Sequence, residues 1–283
     1  MSCNLCQSSK YKIREGSVRG NKDLEIKECL NCGLVYLSST EAIDSGFYEN
    51  SSMNETFNFS QWNDEKQVDD KRRFDFMKNK ISNKKILDFG SGYGGFLSYS
   101  KEVSSYACGV ELEKAIKPFY KENHIDLFEN LNEIDETFDV ITAFHVIEHL
   151  KEPAMILKEF KNLLNKNGKI ILEVPNASDA LLTIYENKPF SHFTYWVCHL
   201  YLYTQHTLSL LAKKAGLKVD FVKHIQRYPL SNHLYWLSKG KPGGHMEWGN
   251  FIDSKELNAA YEKQLAKVGA TDTIIVQLSK EES

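Results

Sequence analysis

The sequence predicts an α/β fold, a mostly parallel sheet with helices on both faces, behind a small cysteine-rich N-terminal module. Three observations carry this. Short apolar runs alternate with helix-like stretches from about residue 81 onward, the pattern of a parallel sheet whose crossovers are helices. One of those runs, Ile86-Leu-Asp-Phe, passes straight into Gly90, Gly92 and Gly94 and then a helix-like stretch. Four of the six cysteines stand near the start as two C-x2-C pairs, Cys3 with Cys6 and Cys29 with Cys32.

The cysteine pairs come first in the chain. Each C-x2-C turn can bring two thiolates to one metal, and two such knuckles supply the four soft ligands of a tetrahedral zinc ion. Segments 11–13 and 24–27 read as short strands between them, and Gly33 tolerates the positive φ that a knuckle demands. A piece this small cannot bury a core of its own, so the metal would supply much of its folding energy. Four cysteines leave no open coordination position, which makes the expected ion structural. Residues 1–37 are therefore read as a zinc-binding module of the zinc-ribbon type. Residues 38–80 follow as a polar and aromatic connector with Tyr48, Phe57, Phe59 and Trp62, then a helix-like stretch at 64–77 that would cap the next domain.

From 81 to 283 the elements alternate. Strands are expected at 85–89, 106–111, 126–128, 138–144, 169–174, 217–222 and 273–277, and helices at 95–101, 114–122, 153–164 and 204–215. The last of these helices has Thr204 as its N-cap and Gly216 just past its end. The stretch 227–268 is a long insertion before the final strand, with a helix at 254–265; connections of that length are commonly lids. Cys108 and Cys198 are expected to be buried and inert.

The sharpest feature is Ile86-Leu-Asp-Phe-Gly-Ser-Gly-Tyr-Gly-Gly95. Glycines at 90, 92 and 94 allow backbone to pass close to a ligand. The dinucleotide fingerprint is G-x-G-x-x-G; here it is G-x-G-x-G with an acid, Asp88, just before it. A pyrophosphate at a helix N-terminus is ill served by a neighbouring carboxylate, whereas the ammonium and sulfonium of S-adenosylmethionine suit one. Glu111 closes the next strand, where an acid can take both ribose hydroxyls.

On these residues the sequence resembles the class I S-adenosylmethionine-dependent methyltransferases, whose first motif is hh(D/E)hGxGxG. The likeness spans about 81–277. It implies a Rossmann-like, seven-stranded sheet whose last strand is antiparallel, with Asp88, Gly90, Ser91, Gly92 and Gly94 around the cofactor and Glu111 on its ribose. Cys32-Gly-Leu-Val-Tyr36 and the later Phe47-Tyr48 resemble a subgroup with an N-terminal zinc module, some members of which act on nucleotide-linked sugars.

The expected fourth strand ends in Thr142-Ala-Phe-His-Val-Ile-Glu-His149, at the sheet edge where ligands bind in open α/β folds. Ala143, Phe144 and His145 would line the cofactor cleft. Resemblance to sugar methyltransferases with a Glu-His pair makes Glu148 and His149 candidates for acceptor binding and general base, with His145 a further catalytic candidate; histidine titrates near neutrality, which suits the task. H-x-x-E-H also matches inverted zinc peptidases, but that motif must lie on a helix, and here it follows a buried strand. Segment 189–203 is dense in aromatics and carries His192 and His199, the latter a second candidate base. Lys239 and Lys241 stand among glycines that would suit a diphosphate or a plain surface turn.

Formal net charge is −3 with no basic stripe, so nucleic acid is not an expected partner. No apolar run is long enough to span a membrane and no leader precedes the knuckles, which predicts a cytoplasmic chain. The expected function is methyl transfer to a small-molecule or glycan acceptor, a nucleotide-linked sugar or surface polysaccharide, on oxygen in preference to carbon. An RNA methyltransferase acting on ribosomal or transfer RNA and a non-catalytic S-adenosylmethionine-binding scaffold are the alternatives. The sequence leaves oligomeric state open.

Overall fold

A computed structural model describes residues 2–41 and 59–281. Tyr48 and Phe57 of the expected connector lie outside those residues, and so do the side chains of Phe59 and Trp62.

Seven strands form the main sheet: β4 (Lys85–Phe89), β5 (Tyr106–Val110), β6 (Asp126–Phe128), β7 (Phe138–Phe144), β8 (Leu164–Pro175), β10 (Leu217–Ile225) and β11 (Thr273–Lys280). Their spatial order is β10-β11-β8-β7-β4-β5-β6. Pairs from β8 to β6 are parallel, while β11 runs antiparallel to both neighbours. The fold is thus the α/β sheet with an antiparallel final strand that the sequence implied.

Period-two alternation explains why this sheet is buried on both faces. Ile86, Val140, Ile171 and Ile275 point to one face, where they meet Phe74, Met77 and Ile81 of α1 (Phe59–Ile81). Their chain neighbours Leu87, Ile141, Leu172 and Val276 point to the other, against Leu157 and Phe160 of α4 (Pro153–Leu163) and Leu208 and Leu211 of α7 (Gln205–Lys214). The helix-like stretch read as part of a connector ending at 80 is therefore one of the sheet's covering layers, because its apolar stripe has a sheet face to bury. In α7 the cap is the expected one: the Thr204 hydroxyl accepts from the Thr207 amide, and Thr207 closes the box in return.

The N-terminal module contains β1 (Tyr11–Ile13), β2 (Ile26–Cys29) and β3 (Val35–Leu37), all antiparallel. Its sheet has a fourth strand that sequence reading missed. β9 (Tyr201–Leu202), from the aromatic segment, pairs with β3 through Val35 opposite Leu202 and Tyr36 opposite Tyr201. Val18, Ile26, Val35 and Leu37 then share a core with Tyr195 and Leu202. The module cannot bury its apolar residues alone, and the sheet domain supplies the missing surface.

Past β10 the insertion folds as α8 (Leu230–Lys239), α9 (Gly244–Glu247), α10 (Gly249–Ile252) and α11 (Lys255–Lys267). No helix among the described residues is long and apolar enough to cross a membrane.

Candidate functional site

The glycine loop follows β4 and leads into α2 (Gly95–Ser100). Gly90, Gly92 and Gly94 have φ of 68°, 51° and 71°, in the left-handed region that glycine enters without strain. They differ in what surrounds them. A Cβ on Gly90 would meet Val146 Cγ2 at 2.4 Å, and one on Gly94 would press on the Tyr120 ring at 3.0 Å. A Cβ on Gly92 would meet nothing within 4 Å. Gly90 and Gly94 are thus glycines for packing, while Gly92 fronts open space that a ligand can fill.

Two acids frame that space. Asp88 is buried and accepts a 2.6 Å hydrogen bond from the Thr142 hydroxyl. Burial pushes its carboxyl up to about 7 despite that bond. Glu111, just past β5, accepts from the Gly92 amide at 2.9 Å and from the Leu112 amide at 2.7 Å. The Tyr120 hydroxyl donates to the Gly92 carbonyl at 2.9 Å and lies 2.7 Å from Ser91 Oγ. A flexible glycine loop is fixed in this way by side chains on both flanks.

The second part of the site begins where β7 ends. His145 has φ of 56°, costly for a non-glycine residue and tolerated where surroundings fix it. Its amide donates to the Glu173 carbonyl at 2.7 Å. Arg227 Nη1 lies 3.0 Å from His145 Nε2, and His145 Nδ1 lies 3.3 Å from Glu148 Oε1. Glu173 Oε1 lies 3.2 Å from the same Nε2. Sequence reading missed what surrounds this pair. Arg72 bonds both Glu173 oxygens at 2.9 and 3.0 Å, Arg73 reaches Oε1 at 2.8 Å, and Arg227 pairs with Asp69. Burial would raise Glu173, but the guanidinium of Arg73, the His145 hydrogen bond and Arg72 hold its carboxyl well below the usual range. In the same way Arg227 holds Asp69 down at about 2 against its burial. The available signal was Glu173 itself, a lone acid inside the apolar run Ile170-Ile-Leu-Glu-Val174.

Glu148 and His149 lie on a short 3-10 turn, Ile147–His149, so the H-x-x-E-H match does not lie on a helix. Glu148 is fully buried. His149 Nε2 is 4.0 Å from Glu148 Oε1, and the His149 ring meets His199 edge-on with centroids 4.9 Å apart. Burial lowers His149 and takes His199 down to about 3, which keeps both imidazoles neutral. The structure thus brings His145, Glu148, His149 and His199 together. It puts His192 elsewhere, on the surface with Nδ1 3.0 Å from Ser17 Oγ. Lys241 lies over the Tyr235 ring at 5.8 Å, past Gly240, which caps α8 in the left-handed conformation. Ala143 is buried and Phe144 packs edge-on against Phe96, with Arg73 over its ring at 4.8 Å.

In the N-terminal module the Sγ atoms of Cys3 and Cys32 are 3.5 Å apart, as are those of Cys6 and Cys29, and all four lie within 4.8 Å of one another. The edge of a tetrahedron with Zn–S of about 2.3 Å is about 3.8 Å, so this donor set fits one zinc ion.

A sheet in this order, with an acid and three left-handed glycines after its first strand, defines a class I S-adenosylmethionine-dependent methyltransferase. A family model described as a methyltransferase domain matches residues 59–221, and the chain belongs to that family. Among curated proteins it is similar to a ubiquinone biosynthesis O-methyltransferase of Hydrogenovibrio crunogenus, 25% identical over 57% of this chain and 77% of that one. It is also similar to a tRNA U34 carboxymethyltransferase of Dichelobacter nodosus, 28% identical over 38% of each chain. It spans 63% of one further relative and 48% of another, so for these it covers less than two thirds of their length. A solved S-adenosylmethionine-dependent methyltransferase from Thermotoga maritima, described as a possible histamine N-methyltransferase, shares the fold. That match has 18% identity and a TM-score of 0.50, covering 81% of this chain and 96% of that one.

Proposed function

We propose that this methyltransferase acts on a hydroxyl of a sugar or glycan, either a nucleotide-linked sugar or a surface polysaccharide. The observation that carries the reading is the cluster of Glu148, His149 and His199 at the sheet's carboxyl edge, joined to the cofactor loop by the contact of Gly90 with Val146. S-adenosylmethionine supplies an electrophilic methyl group on a sulfonium. The chain has to bind it, align an acceptor in line and remove one proton.

In this reading Asp88, Gly90, Ser91, Gly92 and Gly94 enclose the amino-acid part of the cofactor, and Glu111 takes the ribose hydroxyls. Ala143, Phe144 and His145 line the cleft. Burial leaves His149 in its neutral, proton-accepting form, and Glu148 beside it orients the acceptor. His145, engaged by Arg227 and Glu173, fits a positioning role better than that of base. Residues 1–37 would act as a zinc module, with Cys3, Cys6, Cys29 and Cys32 on a structural ion. The name of the ubiquinone relative supports transfer to oxygen. The tRNA relative supports an RNA acceptor as the second reading, against which stands the formal charge of −3.

Incubation with methyl-labelled S-adenosylmethionine and a cell extract, followed by separation of nucleotide-sugar, polysaccharide, RNA and protein fractions, tests this. Label is expected in a sugar fraction. Label confined to RNA overturns the sugar acceptor in favour of the second reading, and label in no fraction favours a binding scaffold.

A further inference from the structure

We infer that Glu148, His149 and His199 form a second metal site, distinct from the cysteine cluster, which takes a divalent transition-metal ion such as zinc. One ligand atom from each of the three lies within 4.8 Å of the other two. Two imidazoles and a carboxylate are the donor set of an open, three-ligand zinc centre. At metal–ligand distances of about 2.1 Å, donors on one ion are about 3.4 Å apart. The ligand atoms, all within 4.8 Å of one another, are therefore close to that spacing.

A second observation points the same way. Glu148 is fully buried, and neither of its oxygens has a hydrogen-bond partner among the described residues. His145 Nδ1 stands 3.3 Å from Oε1 and, with the nearby rings of His149 and His199, holds the Glu148 carboxyl below its ordinary value against burial. His199 Nδ1 is likewise buried without a partner. A buried carboxylate this short of hydrogen bonds is expensive, and a cation seated beside it would offset its charge and engage the buried His199 Nδ1. The ligands are also held in place. Glu148 and His149 share the rigid turn after β7, and the His199 amide donates to the Trp196 carbonyl at 2.9 Å, two residues before β9 enters the module's sheet.

Three protein ligands leave an open coordination position. His149 keeps 14% of its side chain exposed while Glu148 has none, so the group is reached from the His149 side. With the ion bound, His149 and Glu148 are its ligands in place of the base and orienting roles proposed above, and an acceptor hydroxyl at the open position would be oriented and acidified by the ion's charge. That last step rests on the acceptor reading; the ion site itself does not.

The test is zinc stoichiometry on the full chain without acceptor, by titration and elemental analysis after gel filtration. Two ions per chain are expected in the wild type. His199→Ala and Glu148→Gln should retain the cysteine-bound ion and weaken the second at least 100-fold, with S-adenosylmethionine affinity kept as proof of folding. One ion per chain in the wild type, or two that persist with unchanged affinity in both variants, overturns the site. Cobalt substitution of the wild type keeps the question open to test even where a variant fails to fold. A site of nitrogen and oxygen donors adds visible bands without sulfur charge transfer, and their absence at saturation overturns it. Two ions with no label in sugar would sink the acceptor reading alone, whereas one ion with labelled sugar would sink the metal site alone.

Discussion

The two halves of the site are assembled in opposite ways. The glycine-loop half, proposed above for the cofactor, comes mostly from one stretch, 85–111: Gly90 and Ser91 amides bond the Val110 carbonyl, and Glu111 reaches back 19 residues to Gly92. The half proposed for the acceptor is drawn from the whole chain. Glu173 pairs with Arg72 across 101 residues and Arg227 with Asp69 across 158, while His199 comes from the segment that also completes the N-terminal sheet. Backbone geometry sets the first half and buried charge sets the second. The difference predicts where each half is fragile.

The largest effect is expected at Glu173. Its two carboxylate oxygens serve Arg72, Arg73 and His145. Glu173→Leu leaves Arg72 and Arg73 facing each other in a buried setting, and removal of one partner from such a group costs about 3–5 kcal/mol. Urea unfolding should show that loss, and a change below about 1 kcal/mol would mean that the network is screened by water. The Asp69 and Glu173 pairs also set an acid limit. Their folded carboxyls are held below ordinary values, so their contribution is complete above the unfolded pKa of about 4 and fades as pH falls toward 2.

Asp88 reverses that sign, which sharpens the contrast between the halves. Burial raises its carboxyl to about 7 from an ordinary value near 3.8, so the folded state binds the proton more tightly than the unfolded chain. Stability without cofactor then declines as pH rises from about 4 through 7. Asp88→Asn removes that penalty. It should be more stable than the wild type at pH 8 by about 2–4 kcal/mol, with no gain at pH 4, and should bind S-adenosylmethionine more weakly. A variant that is less stable at pH 8 would mean that the carboxylate is ionised and partnered, and that burial is not what governs it.

How much of this was legible follows the same division. The loop that Asp88, Gly90, Gly92, Gly94 and Glu111 build was legible because a local loop leaves a local pattern, with strand, glycine run and closing acid in fixed order. The strand alternation and the Thr204 cap were visible for the same reason. β9 was not: two residues, Tyr201 and Leu202, carry no period, and their strand exists only because the edge of β3 needs a partner. Arg72, Arg73 and Arg227 were hidden too, since each reads as an ordinary surface cation until Glu173 and Asp69 are brought beside it. The reading of 38–80 as connector and cap did not specify the packing of Phe74 and Met77 on the sheet, because the meaning of apolar residues on a helix depends on the face they meet.

Two glycines two residues apart separate packing from ligand contact inside the cofactor half. Both have positive φ, so alanine at either costs about 1 kcal/mol in backbone strain. Gly90→Ala adds a clash with Val146 at 2.4 Å, so its loss should appear first in Tm, before any ligand is added. Gly92→Ala meets nothing in the chain. Its Tm without ligand should drop only by the strain, while S-adenosylmethionine affinity falls by at least tenfold. Equal losses of affinity at equal losses of stability would mean that the space beside Gly92 is not where the cofactor lies.

The smallest effect is expected at Lys241, and its size decides how far the acceptor half extends. The side chain lies over Tyr235 at the exposed end of α8, after a glycine that ends the helix as an ordinary cap. Lys241→Ala should change stability by less than about 0.5 kcal/mol. If the turn is only a turn, KM for a nucleotide-linked sugar also stays within about twofold. A rise of tenfold or more in KM, with kcat unchanged, would show uniform binding of substrate by this residue. In that event the glycine-rich turn at 240–244 would belong to the site as a diphosphate contact, and the acceptor half would reach from the histidine cluster into the insertion.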